Sequence, residues 1–475
     1  MLGLQEKSRT QSRRYIKTYI FSGAEYGESL LLTRTKRDDI DLGSHMASAY
    51  GTAKGAFDGT RLVINTHMGR PSMDAKIWDA KRNPKYTKLS LTGALGVHGY
   101  QQQEPLSIDR DLAVAICELL HCDDRSWERI EFQHCTGQLD VIISFAMGRG
   151  RVQSLFFSEV VLELATLYAL STGLKFNTSL TEILFRRCIM TEAVTILEEG
   201  LKFTGTIQSM AMERCRLVDG KVAELVSALK SCESLQRLSL EGNCCRSNGM
   251  VAVASLMQEN KQLTSLSLHN QHVEHNEILD ISPLAESLLG DKCNLKFLDL
   301  SRNGLRDDEI SQLASALVQN STLETLHLDQ NLITDRGAAV LASKLPAMRA
   351  LKTLALPGNP FGEDGALALE NAMLNNFELE NVIIPSGLVQ IQKTIRCYGN
   401  LNKGGRRLFA LPRPANLALY SLVLERVNNM RLAHDWNPSS APADVIYGFL
   451  RLGPFLFEQT KMQPRLSAQA RQKIP

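Results

Sequence analysis

LKFLDLSRN (Leu295 to Asn303), LETLHLDQN (Leu323 to Asn331) and LKTLALPGN (Leu351 to Asn359) each begin 28 residues after the one before. Leucines at the first, fourth and sixth positions alternate with other residues, and an alternation of period two is a short strand with one buried face. Beyond the asparagine the period changes. Ile333, Gly337, Ala338, Leu341, Ala342 and Leu345 recur at helical spacing, so each unit reads as strand, turn and helix. A unit this short cannot bury its own apolar side, so copies must stack. Strands stack about 4.8 Å apart, whereas helices with their side chains are about 10–12 Å wide. Strands on one side and helices on the other must bend the stack, with the sheet inside.

The pattern L-x-x-L-x-L-x-x-N resembles the leucine-rich repeat, and the 28-residue unit with its Gly-Ala-Leu helix resembles the ribonuclease-inhibitor type. The resemblance implies an α/β solenoid, a horseshoe with a parallel concave sheet, convex helices and a helical C-terminal cap. The frame extends in both directions, with units starting at Val152, Leu180, Ile207, Leu235, Leu263, Leu295, Leu323, Leu351 and Leu379. From Val152 to Leu295 the intervals are 28, 27, 28, 28 and 32, so four extra residues form a longer loop around Glu274 to Asp280. Trp127, Ile130, Phe132 and Cys135 mark a looser unit, preceded by an amphipathic helix from Ser107 to Leu120. Tyr86, Leu89 and Leu91 mark a first strand or cap. The ninth-position asparagines Asn303, Asn331 and Asn359 should form a ladder that satisfies buried backbone groups of the turns.

Four regions follow. Residues 1–85 read as a basic N-terminal segment and linker without fixed structure, and 86–387 as the repeat domain. Residues 388–458 read as a helical cap with apolar faces at Leu388 to Tyr398, at Leu417, Tyr420, Leu424 and Val427, and at Val445, Ile446, Phe449 and Leu450. Residues 459–475 carry only basic charges (Lys461, Arg465, Arg471, Lys473) and read as a disordered tail. Leu401 to Arg407, Leu422 to Val427 and Tyr447 to Pro454 together resemble the tail of diatom leucine-rich-repeat proteins.

The chain has 53 basic and 51 acidic residues, so no net field points to nucleic acid or membrane as partner. No apolar run reaches the roughly 18 residues of a transmembrane helix, and the N-terminus lacks a continuous apolar core. Ten cysteines lie without C-x-x-C pairs, three of them (Cys135, Cys188, Cys215) at the ninth position of a unit. Reduced structural cysteine fits cytosol or nucleus, and the spacing suggests no metal or other cofactor. No G-x-x-x-x-G-K-[ST] loop occurs, so a nucleotide-binding domain of that kind is not expected.

Strand positions three, five and seven should face the hollow and decide what it holds. The candidates are Phe156 beside Leu184 with Arg186, an acidic middle at Glu213 and Glu241, and a cluster of His269, Asp299, His327 and Asp329. That cluster could act as an acid–base or metal centre if His327 and Asp299 converged with Asp329 or His269 as orienter. Exposed polar residues are also what a protein-binding array presents, and a preformed sheet offers them at low ordering cost. The expectation is therefore a non-enzymatic scaffold that holds a protein partner on the concave face. The alternative is a small-GTPase regulator: the repeat type is similar to that of Ran GTPase-activating proteins. That likeness implies an arginine role for Arg186 or Arg187 and an acidic tail, whereas the tail here is basic.

Overall fold

The structure, a computed structural model, describes residues 60–93, 104–122, 126–148, 151–190, 194–271, 279–289 and 293–406, together with two short paired strands, Tyr19–Phe21 and Leu30–Leu32. Its centre is a twelve-stranded sheet in which strands follow one another in chain order. The strands are Arg61–Asn65 (β1), Lys88–Thr92 (β2), Trp127–Gln133 (β3), Val152–Ser158 (β4), Glu182–Arg186 (β5) and Ser209–Glu213 (β6). Arg237–Ser239 (β7), Ser265–Ser267 (β8), Phe297–Asp299 (β9), Thr325–His327 (β10), Thr353–Ala355 (β11) and Asn381–Ile383 (β12) complete it. Every neighbouring pair is parallel, and each is joined by a helix that returns on the other side of the sheet.

The register keeps one unit position in one row. Leu238, Leu266, Leu298, Leu326 and Leu354 are partners across β7 to β11, and all are buried. At position six the row changes character, since Phe132, Phe157 and Phe185 replace leucine and stack with ring centroids 5.1 and 5.2 Å apart. Those spacings match the distance between strands.

The helix Asp307–Gln319 shows why the second half of a unit folds as it does. Ile310, Leu313, Ala314 and Leu317 are buried along one face. Asp307, Asp308 and Glu309 crowd the first turn, where the helix dipole favours negative charge. Glu309 also accepts a hydrogen bond from Arg306 N at 2.9 Å.

Three ladders tie unit to unit. The expected one holds: Asn331 Oδ1 accepts from Asn303 N (2.9 Å) and Leu305 N (3.2 Å), and its Nδ2 donates to Leu300 O and Leu328 O. Asn243 and Asn359 repeat the arrangement, Gln271 substitutes at one rung, and Cys135, Cys188 and Cys215 occupy the earlier ones. A second asparagine ladder was not expected. Asn177, Asn260, Asn320 and Asn376 end their helices, donate to a carbonyl of the preceding unit and accept from the backbone of the strand about to begin. In the third, Asp219 and Asp335 at one helix start accept from amides of the next, Gly249 and Gly365, at 2.8 Å each.

The array starts earlier than 86. β1 and the helix Arg70–Arg82 fall within the stretch read as linker, yet Leu62, Ile64, Met73, Ile77 and Ala80 are buried in the common core. This start is hard to see in the sequence because a five-residue strand and a Lys- and Asp-rich helix bury few residues each, too few to stand out between glycines and alanines. Tyr86 to Leu91 leads into β2, the second strand rather than the first. At the other end the helix Val389–Lys403 packs on the last unit through Ile391, Ile395 and Leu401, as the first cap helix should. The expected second and third apolar faces of the cap, the tail from 459, most of the diatom-like stretch and most of the loop after Gln271 lie outside the described residues.

Candidate functional site

Strand register sets the floor of the concave face. Partner positions run Phe156, Leu184, Ala211, Ser239, Ser267, Asp299, His327, Ala355 and Ile383 along position five. Phe156 and Leu184 are half-buried neighbours, whereas Ala211 and Ala355 are closed off. The small side chains sink beneath taller flanking ones.

Charged residues on this face pair between units. Arg186 Nε donates to Glu213 Oε2 at 2.7 Å, so two of the expected residues meet, with the arginine side chain 54% exposed. Glu241 is held by Arg214 at 2.9 Å, and Arg187 by Glu159 at 3.0 Å. Arg129, a position-three residue absent from the expected set, sits 4.0 Å over the ring of Phe156 and within 3.5–3.6 Å of Glu182 and Glu131. Glu131 is bonded in addition to Arg61. Further along, Lys352 bonds Glu324 at 2.8 Å and thereby holds its carboxyl below the usual range. The signal that would have found Arg129 is its place in the frame, two residues beyond Trp127.

The third group lies on β8, β9, β10 and the turns after them. Asp299 Oδ2 is 3.7 Å from His269 Nδ1, and its Oδ1 accepts from Ser301 N at 2.9 Å. His327 is Asp299's partner in register, yet its ring packs edge-on against Phe297, centroids 5.2 Å apart at 65°. His327 and Asp299 therefore do not converge as an acid–base pair would require. Asp329 donates its backbone N–H to Ser301 Oγ at 3.2 Å. Its Oδ1 is shut off from solvent and has no hydrogen-bond partner among the described residues. Burial pushes the Asp329 carboxyl above the usual range, with Asp299 adding to the effect and His327 and His269 opposing it.

Among the described residues no group of three or more His, Cys, Asp or Glu side chains could hold a metal ion, and no helix is long and apolar enough to cross a membrane.

A family model for the leucine-rich repeat matches residues 291–310 and 319–342. The chain carries leucine-rich repeats. The human NACHT, LRR and PYD domains-containing protein 12 is 28% identical over 151 residues, 31% of this chain. That match spans 14% of the relative's own length. Among solved structures, the leiomodin-1 actin-binding site 2 is 17% identical, covering 39% of this chain and 97% of that one, with a TM-score of 0.30. A TLR13–ssRNA13 complex is 15% identical over 69% of this chain and 50% of that one, TM-score 0.40. The Caenorhabditis elegans tropomodulin C-terminal domain is 12% identical over 46% and 99% of the two chains, TM-score 0.24.

Proposed function

We propose that this chain is a non-enzymatic interaction scaffold of the ribonuclease-inhibitor type of leucine-rich repeat, working in the cytosol or nucleus. It holds a protein partner on the concave sheet face. The observation that carries the reading is the row of half-exposed, chemically varied side chains at Phe156, Leu184, Arg186, Glu213, Glu241, His269, Asp299, His327 and Asp329, all carried by the strands of one hydrogen-bonded sheet or by the turns that directly follow them. A surface whose backbone is already fixed by three ladders binds with little further loss of conformational freedom. The apolar pair Phe156 and Leu184, ringed by ion pairs, has the make-up of a contact centre with a polar rim. The separation of His327 from Asp299 by the Phe297 contact favours binding over catalysis at that cluster.

The test is a comparison of proteins captured from a eukaryotic lysate by the full chain, by Phe156→Asp with Leu184→Asp, and by the convex pair Leu164→Asp with Tyr168→Asp. Partners should be lost with the first pair of substitutions and kept with the second. Capture unaffected by the concave changes, or abolished only by the convex ones, would overturn the assignment.

A further inference from the structure

The helix Leu164–Phe176 is apolar on both sides. Leu167, Leu170 and Leu174 fill the core on one of them. Its exposed residues are Leu164, Ala165, Tyr168, Thr172 and Phe176, which share an arc of about 120° on the outer surface. None of them is charged. Leu164 is 58% exposed, Tyr168 57% and Phe176 79%. In the next unit Phe203 is 68% exposed, with Lys175 Nζ 5.7 Å over its ring. The exposed residues of the helix Asp307–Gln319 are instead Asp308, Gln312, Ser315 and Gln319, as water requires. An outward apolar stripe gives nothing to the fold of a single chain, and a contiguous one marks a contact.

We infer that two copies of the chain pair back to back through this helix, antiparallel about a two-fold axis. Three features single out a second copy. The stripe is its own complement: positions 164, 168, 172 and 176 are symmetric about the helix midpoint, so an antiparallel copy sets Phe176 against Leu164 and Tyr168 against Thr172. Charge does not oppose the pairing, because the helix has one charged residue, Lys175, and that lysine already bonds Glu199 of its own chain at 3.4 Å. The area is sufficient. With Phe203 and the half-buried Val141 and Phe145 of the adjacent helix Leu139–Gly148, the patch offers about 600 Å² per chain, hence about 1,200 Å² per pair, where specific interfaces begin. An anionic lipid surface fits less well, since the exposed Glu163 and Glu199 flank the patch. The dimer leaves both concave sheets open and facing apart. It is independent of what they hold, and it would give a partner with two matching epitopes two sites at once.

Sedimentation velocity of the full chain across the micromolar range tests this. The unaltered chain should pass reversibly from one copy to two and form nothing larger. Tyr168→Asp with Phe176→Asp should weaken the dimer at least about a hundredfold. Val251→Asp, which alters an exposed apolar side chain on the helix Ser247–Glu259, should leave it unchanged. Thr172→Glu and Thr172→Lys each set like charges across the axis, so each alone should be monomeric, and an equal mixture of the two should pair again. A chain that stays monomeric throughout overturns the inference. So does association beyond two copies, or a dimer lost with Phe156→Asp and Leu184→Asp but kept with Tyr168→Asp and Phe176→Asp, because the contact would then involve the concave face. Failure of the Thr172 mixture to pair overturns the two-fold arrangement. Circular dichroism and melting of each variant check folding, and the Thr172 variants carry the comparison if the aspartate pair is unfolded. Dimer mass and partner capture are separate readouts, so either reading can fail while the other stands.

Discussion

Gln392 Nε2 donates to the carbonyl of Val382 at 2.8 Å, while its Oε1 accepts from Ile384 N at 2.8 Å. One side-chain amide therefore does for the last strand of the sheet what a further strand would do. An unpaired strand edge is a template for aggregation, and this one is closed by a glutamine on the cap helix. Gln392→Leu should lower the stability of the chain by about 1 kcal/mol, because a partly buried donor and acceptor lose their partners. Gln392→Glu should do no better, since it turns an oxygen toward the Val382 carbonyl. Urea unfolding checks both, and an unchanged midpoint for the leucine variant would refute the role.

Asp329 works against the fold at neutral pH. Its carboxyl is raised above the ordinary value chiefly by burial. Between the ordinary and the raised value the folded chain binds more protons than the unfolded one, so stability falls as pH rises through that window. The contribution is fully present below the unfolded pKa and lost above the folded one. Asp329→Asn should therefore be modestly more stable than the unaltered chain at pH 7, with the gap closing as the acid is protonated. Denaturant titrations at neutral and acidic pH decide it, and a less stable variant at neutral pH would show the sign to be wrong.

The fold was most legible where identical side chains recur at one spacing, from Leu295 to Asn359. It faded where different side chains fill the same role. Position nine is asparagine at Asn331, glutamine at Gln271 and cysteine at Cys215, three chemistries that meet the same turn, and glutamine is the one that the repeat pattern does not announce. The second ladder was written as N-x-x-L at Asn177, Asn260, Asn320 and Asn376, but an asparagine after a helix reads as an ordinary stop signal. Position eight hides a further regularity: Arg187, Arg214, Asn270, Arg302 and Gln330 all take left-handed backbone angles near φ +50° to +62°, with glycine only at Gly242 and Gly358 among these later units. At the site, register foretold that His269, Asp299, His327 and Asp329 would lie close together. It could not foretell that Phe297 would hold His327, because that depends on how the two rings pack.

The ladder cysteines should be chemically silent. Burial pushes the Cys135 and Cys215 thiols up to about 12 and that of Cys188 to about 11, so almost none is thiolate near neutrality. In a native chain treated with iodoacetamide, the partly exposed Cys122, Cys244 and Cys397 should be modified well before these three. Peptide mapping by mass spectrometry reads the order. Early alkylation of Cys188 or Cys215 would mean that the units separate at little cost.

Two glycines at helix starts should respond in opposite directions to alanine. Gly220, in the first turn of the helix Asp219–Leu229, has open space where a Cβ would go. Gly220→Ala should stabilise the chain by about 0.5 kcal/mol, since alanine gives up less backbone freedom on folding. Gly365 occupies a similar place in the helix Glu363–Asn375, but a Cβ there would stand 2.8 Å from Asp335 Oδ1 and 2.9 Å from Ala338 Cβ. It would also press on the acceptor of the Gly365 N–H in the third ladder. Overpacking of about 1–3 kcal/mol outweighs the propensity gain, so Gly365→Ala should be destabilising. Paired urea titrations give both values. If the two substitutions shifted the midpoint alike, helix propensity and not the contact between units would govern these positions.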